Sequence, residues 1–107
     1  MSKYILDPCV EDELWLIWQF IAKANPDAAT RVVEAAFKTF DTLATTPRLG
    51  RPRRFANSRV KDIRSLRIAS FPNYLIFYRA IADGVQVLHV YHGAQDLERL
   101  FQDDETG

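Results

Sequence analysis

The chain of 107 residues carries a single cysteine, Cys9. It can form no internal disulfide and no multi-cysteine metal site, so a reducing cytosolic setting is the expectation. Cys9 itself reads as a small residue near a helix start, not as a reactive thiol. Glycine is also scarce, four residues in all, and none sits in a phosphate-cradling loop or a nucleophile elbow. An excess of charge of either sign is missing, with 14 Lys and Arg against 14 Asp and Glu. On totals this is neither a strongly basic nucleic-acid protein nor an acidic disordered chain. No apolar run approaches the roughly 18 residues of a membrane span, and the short one at Tyr4–Leu6, followed by acids, is no signal peptide. The two histidines, His89 and His92, have opposite parity on one strand and make no chelating pair, so no metal and no cofactor are expected. What is present is ordinary for one globular domain with one core: 48% hydrophobic and 26% charged residues.

The most informative stretch runs from Asn73 to Asp96. Two runs of β-branched and aromatic residues flank Asp83-Gly84, a strong hairpin signal because a type I′ turn needs positive φ at both central positions. That turn pairs Ala82 with Val85, Ala80 with Val87, Tyr78 with His89 and Ile76 with Tyr91. Leu75, Phe77, Arg79, Ile81, Gln86, Leu88, Val90 and His92 then share the other face. Both faces are largely apolar, so the hairpin is central and covered on each side.

Ahead of it, Lys3–Leu6 reads as a strand. Asp7 then suits a helix N-cap, with Pro8 at the first helical position. Val10, Leu14, Ile17, Trp18 and Ile21 follow helical spacing in a first helix ending near Ala24. Asn25-Pro26 repeats the cap signal. A second helix to about Ala44 buries Ala29, Val32, Val33, Ala36, Phe37, Phe40 and Leu43. So short a connection implies an antiparallel helical hairpin. Residues 47–62 read as a loop, Ile63–Ala69 as a strand, and Ser70–Asn73 as a turn. Leu97, Leu100 and Phe101 suggest a short C-terminal helix. The order is β-α-α-β-β-β with a tail, an α+β domain with an N-terminal helical hairpin on a small, mainly antiparallel sheet.

Three groups of residues could carry function. Arg48, Arg51, Arg53, Arg54, Arg59, Lys61, Arg64 and Arg67 crowd one segment, with Asp62 alone opposing them. Such a field can attract nucleic acid or an acidic peptide, and arginine suits bidentate contacts; a solvated loop is the plain alternative. Arg67, Arg79, His89, Tyr91 and His92 lie on neighbouring strands, where a metal-free nuclease would want cations and an acid or base. Arg79 and His92 fall on one hairpin face and His89 and Tyr91 on the other, so these residues cannot all converge, and strand residues with polar tips are the favoured reading. Trp15, Leu16 and Phe20 lie off the main stripe of the first helix. Core or intramolecular contact is the expectation; exposed, they would mark an interface.

Taken together, Leu14, Ile17-Trp18 and Ile21-Ala22, the segment Pro47-Arg48-Leu49-Gly50-Arg51, the strand Tyr74-Leu75-Ile76-Phe77-Tyr78-Arg79, and His92-Gly93-Ala94-Gln95-Asp96 resemble the ParE/RelE toxin superfamily over about residues 3–101, and its ParE branch more than its RelE branch. The resemblance implies a RelE/ParE-like fold and a cytoplasmic bacterial toxin of a type II toxin–antitoxin module. It would poison DNA gyrase and be neutralised by a ParD-like antitoxin, without sequence-specific nucleic-acid binding of its own. Arg48, Arg51, Arg53, Arg54, Arg59, Lys61, Leu97, Leu100 and Phe101 are then the candidate antitoxin- or target-binding residues, and the sheet edge can accept a strand. RelE-like relatives instead cut mRNA in the ribosome, for which Arg64, Arg67, Arg79 and His92 are the candidates here. A RelE-type enzyme carries an arginine where Leu75 stands and a tyrosine in its tail, and both are missing. The reading is therefore of a non-enzymatic toxin, with the endoribonuclease and an inactive, purely regulatory homologue as alternatives.

Overall fold

A computed structural model describes residues 3–55 and 61–93. The expected C-terminal helix, Arg59, Leu97, Leu100 and Phe101 lie outside these residues. The elements are β1 (Lys3–Leu6), α1 (Pro8–Ala22), α2 (Pro26–Thr45), β2 (Arg51–Pro52), β3 (Arg64–Ile68), β4 (Phe71–Ile81) and β5 (Gly84–His92). They form a five-stranded sheet in the order β1-β5-β4-β3-β2. All neighbours are antiparallel except β1 and β5. The α+β class and the helical hairpin agree with the sequence reading. The two-residue β2 was not anticipated, since Arg51 and Pro52 sit in a stretch with no alternation.

Both helices pack on one sheet face. Val10 and Leu14 of α1 and Ala36, Phe40 and Leu43 of α2 close over Ile68, Ile76, Tyr78, Val85, Val87 and Val90. Phe40 is fully buried, and truncating such a ring to alanine costs about 3–5 kcal/mol. Asn25 caps α2 as expected, its Oδ1 accepting from the Ala28 N–H at 3.1 Å. Asp7 does not cap α1 with its side chain. Its Oδ1 accepts instead from Gln86 Nε2 at 2.6 Å, which fastens the helix start to β5. The other sheet face carries a smaller cluster of Ile63, Phe77 and Leu88, with Phe55, Leu75 and Tyr91 against it.

The central hairpin differs from expectation in two places. Its turn is Ala82-Asp83, because Ile81 pairs with Gly84, and neither turn residue has positive φ. The reason lies in β1. Gly84 pairs with Lys3, and a Cβ at Gly84 would overlap the Lys3 carbonyl oxygen. The glycine serves close strand approach, not the turn. The second difference is a register shift between Phe77 and Tyr78: Tyr78 pairs with Val87 but Phe77 with His89. Leu88 is the extra residue of a β-bulge. Leu88 therefore joins the outer cluster while Val90 joins the helix-side core, where the sequence reading had put both on one face.

The turn before β4 is Ala69-Ser70, with Ser70 at φ 71°, not Ser70–Asn73. β4 already includes Pro72, which lies in the irregular stretch where the β3–β4 register shifts. Proline, having no N–H to donate, is tolerated at such a point.

Candidate functional site: an apolar ledge and a basic segment

Three parts of the surface contain the residues singled out above, and their fates differ. The segment 47–54 is tied to the sheet from within. Tyr78, fully buried, donates its hydroxyl proton to the Pro47 carbonyl at 2.7 Å and accepts from the Gly50 N–H at 2.7 Å. Burial pushes its pKa up, against smaller opposing effects of the Gly50 hydrogen bond and the Arg64 charge. Arg64 Nη1 donates to the Gly50 carbonyl at 2.7 Å and to that of Arg48 at 3.4 Å. Arg53 Nη1 donates to Ser65 Oγ at 3.3 Å, and its guanidinium lies over the Phe55 and Phe77 rings at 5.9 and 5.8 Å. Two of the cluster's cations thus hold the loop in place. Arg48, Arg51, Arg54, Lys61 and Arg67 are exposed.

The RelE-type candidates are dispersed. Arg64 is engaged by loop carbonyls. Arg79 donates from Nε to Gln86 Oε1 at 2.8 Å, and Gln86 in turn reaches Asp7. His92 packs edge-on against Tyr74, ring centroids 5.3 Å apart. Its strand partner Tyr74 is five residues from Arg79 along β4, roughly 17 Å at strand rise. Arg67 and His92 both line one concavity, with Pro72, Asn73, Leu75 and Gly93.

The third part is α1, and here the expectation of burial is overturned. Trp15, Leu16 and Phe20 are 56, 64 and 70% exposed. The helix is apolar around more of its circumference than a small sheet and one neighbouring helix can cover. Val10 and Leu14 go inward. Trp15 stacks on Trp18 at 5.4 Å above Val33 and Phe37 of α2, and Trp18 Nε1 donates to Thr30 Oγ1 at 3.2 Å. On the opposite flank Leu16, Ile17 and Phe20 line a cleft of about 790 Å³ with Tyr74, Val90, Tyr91, His92 and Glu13. The off-stripe placement of these residues was the sequence signal for exposure; of the expected core or intramolecular contact, none of the three is in the core and Trp15 keeps an intramolecular contact in its stack on Trp18.

A family model for the ParE toxin of type II toxin–antitoxin systems, parDE, matches residues 4–97. The chain belongs to the ParE toxin family. This ParE-family chain is also 42% identical over 79 residues to "Putative toxin Y4kP" of Sinorhizobium fredii (strain NBRC 101917 / NGR234), a match covering 74% of this chain and 75% of the relative. Its fold is similar to a solved chain of the chromosomal ParDE TA system from P. aeruginosa, with a TM-score of 0.66 at 17% identity, covering 86% of this chain and 96% of that one. Among the described residues of this ParE-type fold, no helix is long and apolar enough to cross a membrane.

One further group was not visible in the sequence. Cys9 and Glu13 of α1 meet His89 of β5, with His89 Nδ1 2.7 Å from Glu13 Oε2 and 3.6 Å from Cys9 Sγ. The i, i+4 spacing of Cys9 and Glu13 was readable as one helix face. Their meeting with His89 depends on how α1 packs against β5, which sequence spacing does not reveal.

Proposed function

We propose that this ParE-family toxin arrests growth by binding DNA gyrase, and that a small ParD-like antitoxin holds it inactive by laying an amphipathic segment along α1. The observation that supports this most is the apolar ledge of Leu16 and Phe20 beside the cleft floored by Tyr74 and Val90. An amphipathic helix buries its i, i+3, i+4 anchors in such a groove, and aromatic residues dominate binding of that kind. The exposed cations Arg48, Arg51, Arg54 and Lys61 suit acidic residues of the same partner and speed encounter more than they deepen affinity. Leu75, standing where a nuclease would hold phosphate, packs in the outer apolar cluster, and the nuclease candidates Arg64 and Arg79 are engaged in intramolecular bonds.

The test is a supercoiling assay with purified gyrase, alone and with the co-expressed product of the neighbouring small reading frame. Inhibition relieved by that partner is the expected result. Full supercoiling at high toxin excess would sink the gyrase reading. The endoribonuclease reading keeps one observation in its favour, the concavity shared by Arg67 and His92. Mapping mRNA 5′ ends after induction separates the two, since codon-positioned cuts belong only to the nuclease. A chain that binds the partner but shows neither effect is the regulatory homologue.

A further inference from the structure

Cys9, Glu13 and His89 form a cluster at the α1–β5 junction that the toxin reading does not use. Their donor atoms all lie within 4.8 Å of one another. A nucleophilic relay would place the thiol on one ring nitrogen and the carboxylate on the other, as the base must take a proton at one atom while being oriented at the second. Here Cys9 Sγ, Glu13 Oε2 and the Tyr91 hydroxyl all converge on His89 Nδ1, at 3.6, 2.7 and 2.7 Å. One ring nitrogen holds one proton or one lone pair. A single cation placed among these groups could instead be held by the sulfur, the nitrogen and the carboxylate oxygen together.

We propose that Cys9 Sγ, Glu13 Oε2 and His89 Nδ1 are the ligands of a zinc(II) site. The mixed sulfur, nitrogen and oxygen donor set suits this borderline-soft ion. At ordinary zinc–ligand lengths and tetrahedral angles, sulfur and nitrogen donors stand roughly 3.6 Å apart, the separation of Cys9 Sγ and His89 Nδ1. The Glu13–His89 pair, at 2.7 Å, must open by about 0.7 Å to bracket the ion. Charge balances, because one thiolate and one carboxylate neutralise a dication, so the site adds no net charge to a half-buried place. On binding, the Cys9 thiol releases to solvent the proton it gives to the Leu88 carbonyl at 3.3 Å, and His89 ligates as the neutral tautomer, with Nδ1 bare and its one proton on Nε2. Glu13 keeps a second bond, its Oε1 accepting from the Val90 N–H at 2.9 Å, and this fixes the carboxylate as outer contacts of metal ligands do. Tyr91, or water from the cleft that Glu13 and Tyr91 line, takes the fourth position. The ion would staple α1 to β5 beyond the last β1–β5 pair, Leu6 with Val87.

Cobalt(II), added to the full chain after stripping with chelator, reports such a site through a thiolate-to-cobalt charge-transfer band that zinc displaces. One equivalent is expected to saturate the band, and Cys9→Ser to abolish it. Zinc affinity, measured by competition with a chromogenic chelator, should fall in Cys9→Ser and His89→Gln by more than the roughly 10–100-fold that loss of an outer contact costs. One equivalent of zinc should raise the thermal midpoint of the native chain and leave that of Cys9→Ser unmoved. If His89→Gln does not fold, the cobalt spectra of the native chain and Cys9→Ser decide alone. Folded native protein with no charge-transfer band at excess cobalt overturns the proposal, and so does a zinc affinity unchanged by Cys9→Ser.

Discussion

The basic segment and the first helix each contain residues that reverse what hydropathy would assign to them. Arg53 and Arg64 turn toward the protein, while Trp15, Leu16 and Phe20 turn toward solvent. The segment 47–54 makes few ladder bonds of its own, so its carbonyls need donors, and an arginine reaches several at once. Helix α1 has no such need. Its backbone is satisfied internally, so its orientation follows from Val10 and Leu14 entering the core, and its other apolar residues go where the helix leaves them. Polarity alone is therefore a poor guide to which of the two surfaces faces a partner.

The strongest way to break this comparison is to charge the ledge. Leu16→Glu with Phe20→Glu should weaken antitoxin binding by about 2 kcal/mol or more, roughly 30-fold or greater. Stability should stay within about 0.5 kcal/mol per site, because both are exposed. Calorimetric titration and urea unfolding report the two quantities, and unchanged affinity would remove α1 from the interface. Next comes Arg64→Met, which strips a charged donor from the Gly50 carbonyl. A loss of about 1.5–3 kcal/mol in denaturant unfolding is expected, where a merely solvated cation would cost almost nothing. Tyr78→Phe should cost about 1–3 kcal/mol by leaving the Pro47 carbonyl and Gly50 N–H unpaired. It should also change the alkaline limb of the stability curve. The pKa of Tyr78 is raised in the fold, so its contribution is whole below the unfolded value near 10 and is lost as pH rises through the folded one. The variant should lack that part of the decline. Smallest is Arg48→Glu with Arg51→Glu. Both side chains are exposed, so stability should barely move, and antitoxin affinity should drop a few-fold at low salt and recover toward native at high salt. Arg53 is a poor choice for that experiment, because its guanidinium is held by Ser65 and lies over Phe55 and Phe77.

Much of the fold was legible in the residues. β1 has the expected bounds and both helices start where expected, since the Asp7-Pro8 and Asn25-Pro26 signals and the 3.6-residue stripes are local facts. What escaped were effects of one element on another. Asp83-Gly84 is a good turn dipeptide, yet Lys3 claims the glycine. Alternation from Val85 to His92 is regular on paper, yet the bulge at Leu88 splits it between two faces. The same limit applied to the site. The arginine cluster was visible as composition, but which of its members bond inward depended on where the chain brought Tyr78, Ser65 and the loop carbonyls together. The ledge was visible as an off-stripe pattern and was misread because one helix was assumed to be wrapped on all sides.

The parallel pairing of β1 with β5 has a kinetic consequence. Among the described residues it joins the first strand to the last, Lys3 to Gly84, whereas the helical hairpin and the β3–β5 meander each close over short loops. Loop-closure entropy makes so distant a contact late in folding. On a ribosome, β1 emerges first and waits for β5 before the sheet can be completed. A Gly84→Ala variant, which crowds the Lys3 carbonyl, should accordingly speed unfolding while leaving the folding rate nearly unchanged, and stopped-flow measurement in both directions tests this. Among the described residues, the most distant strand pairing of this ParE-family chain is thus one of the last contacts to form.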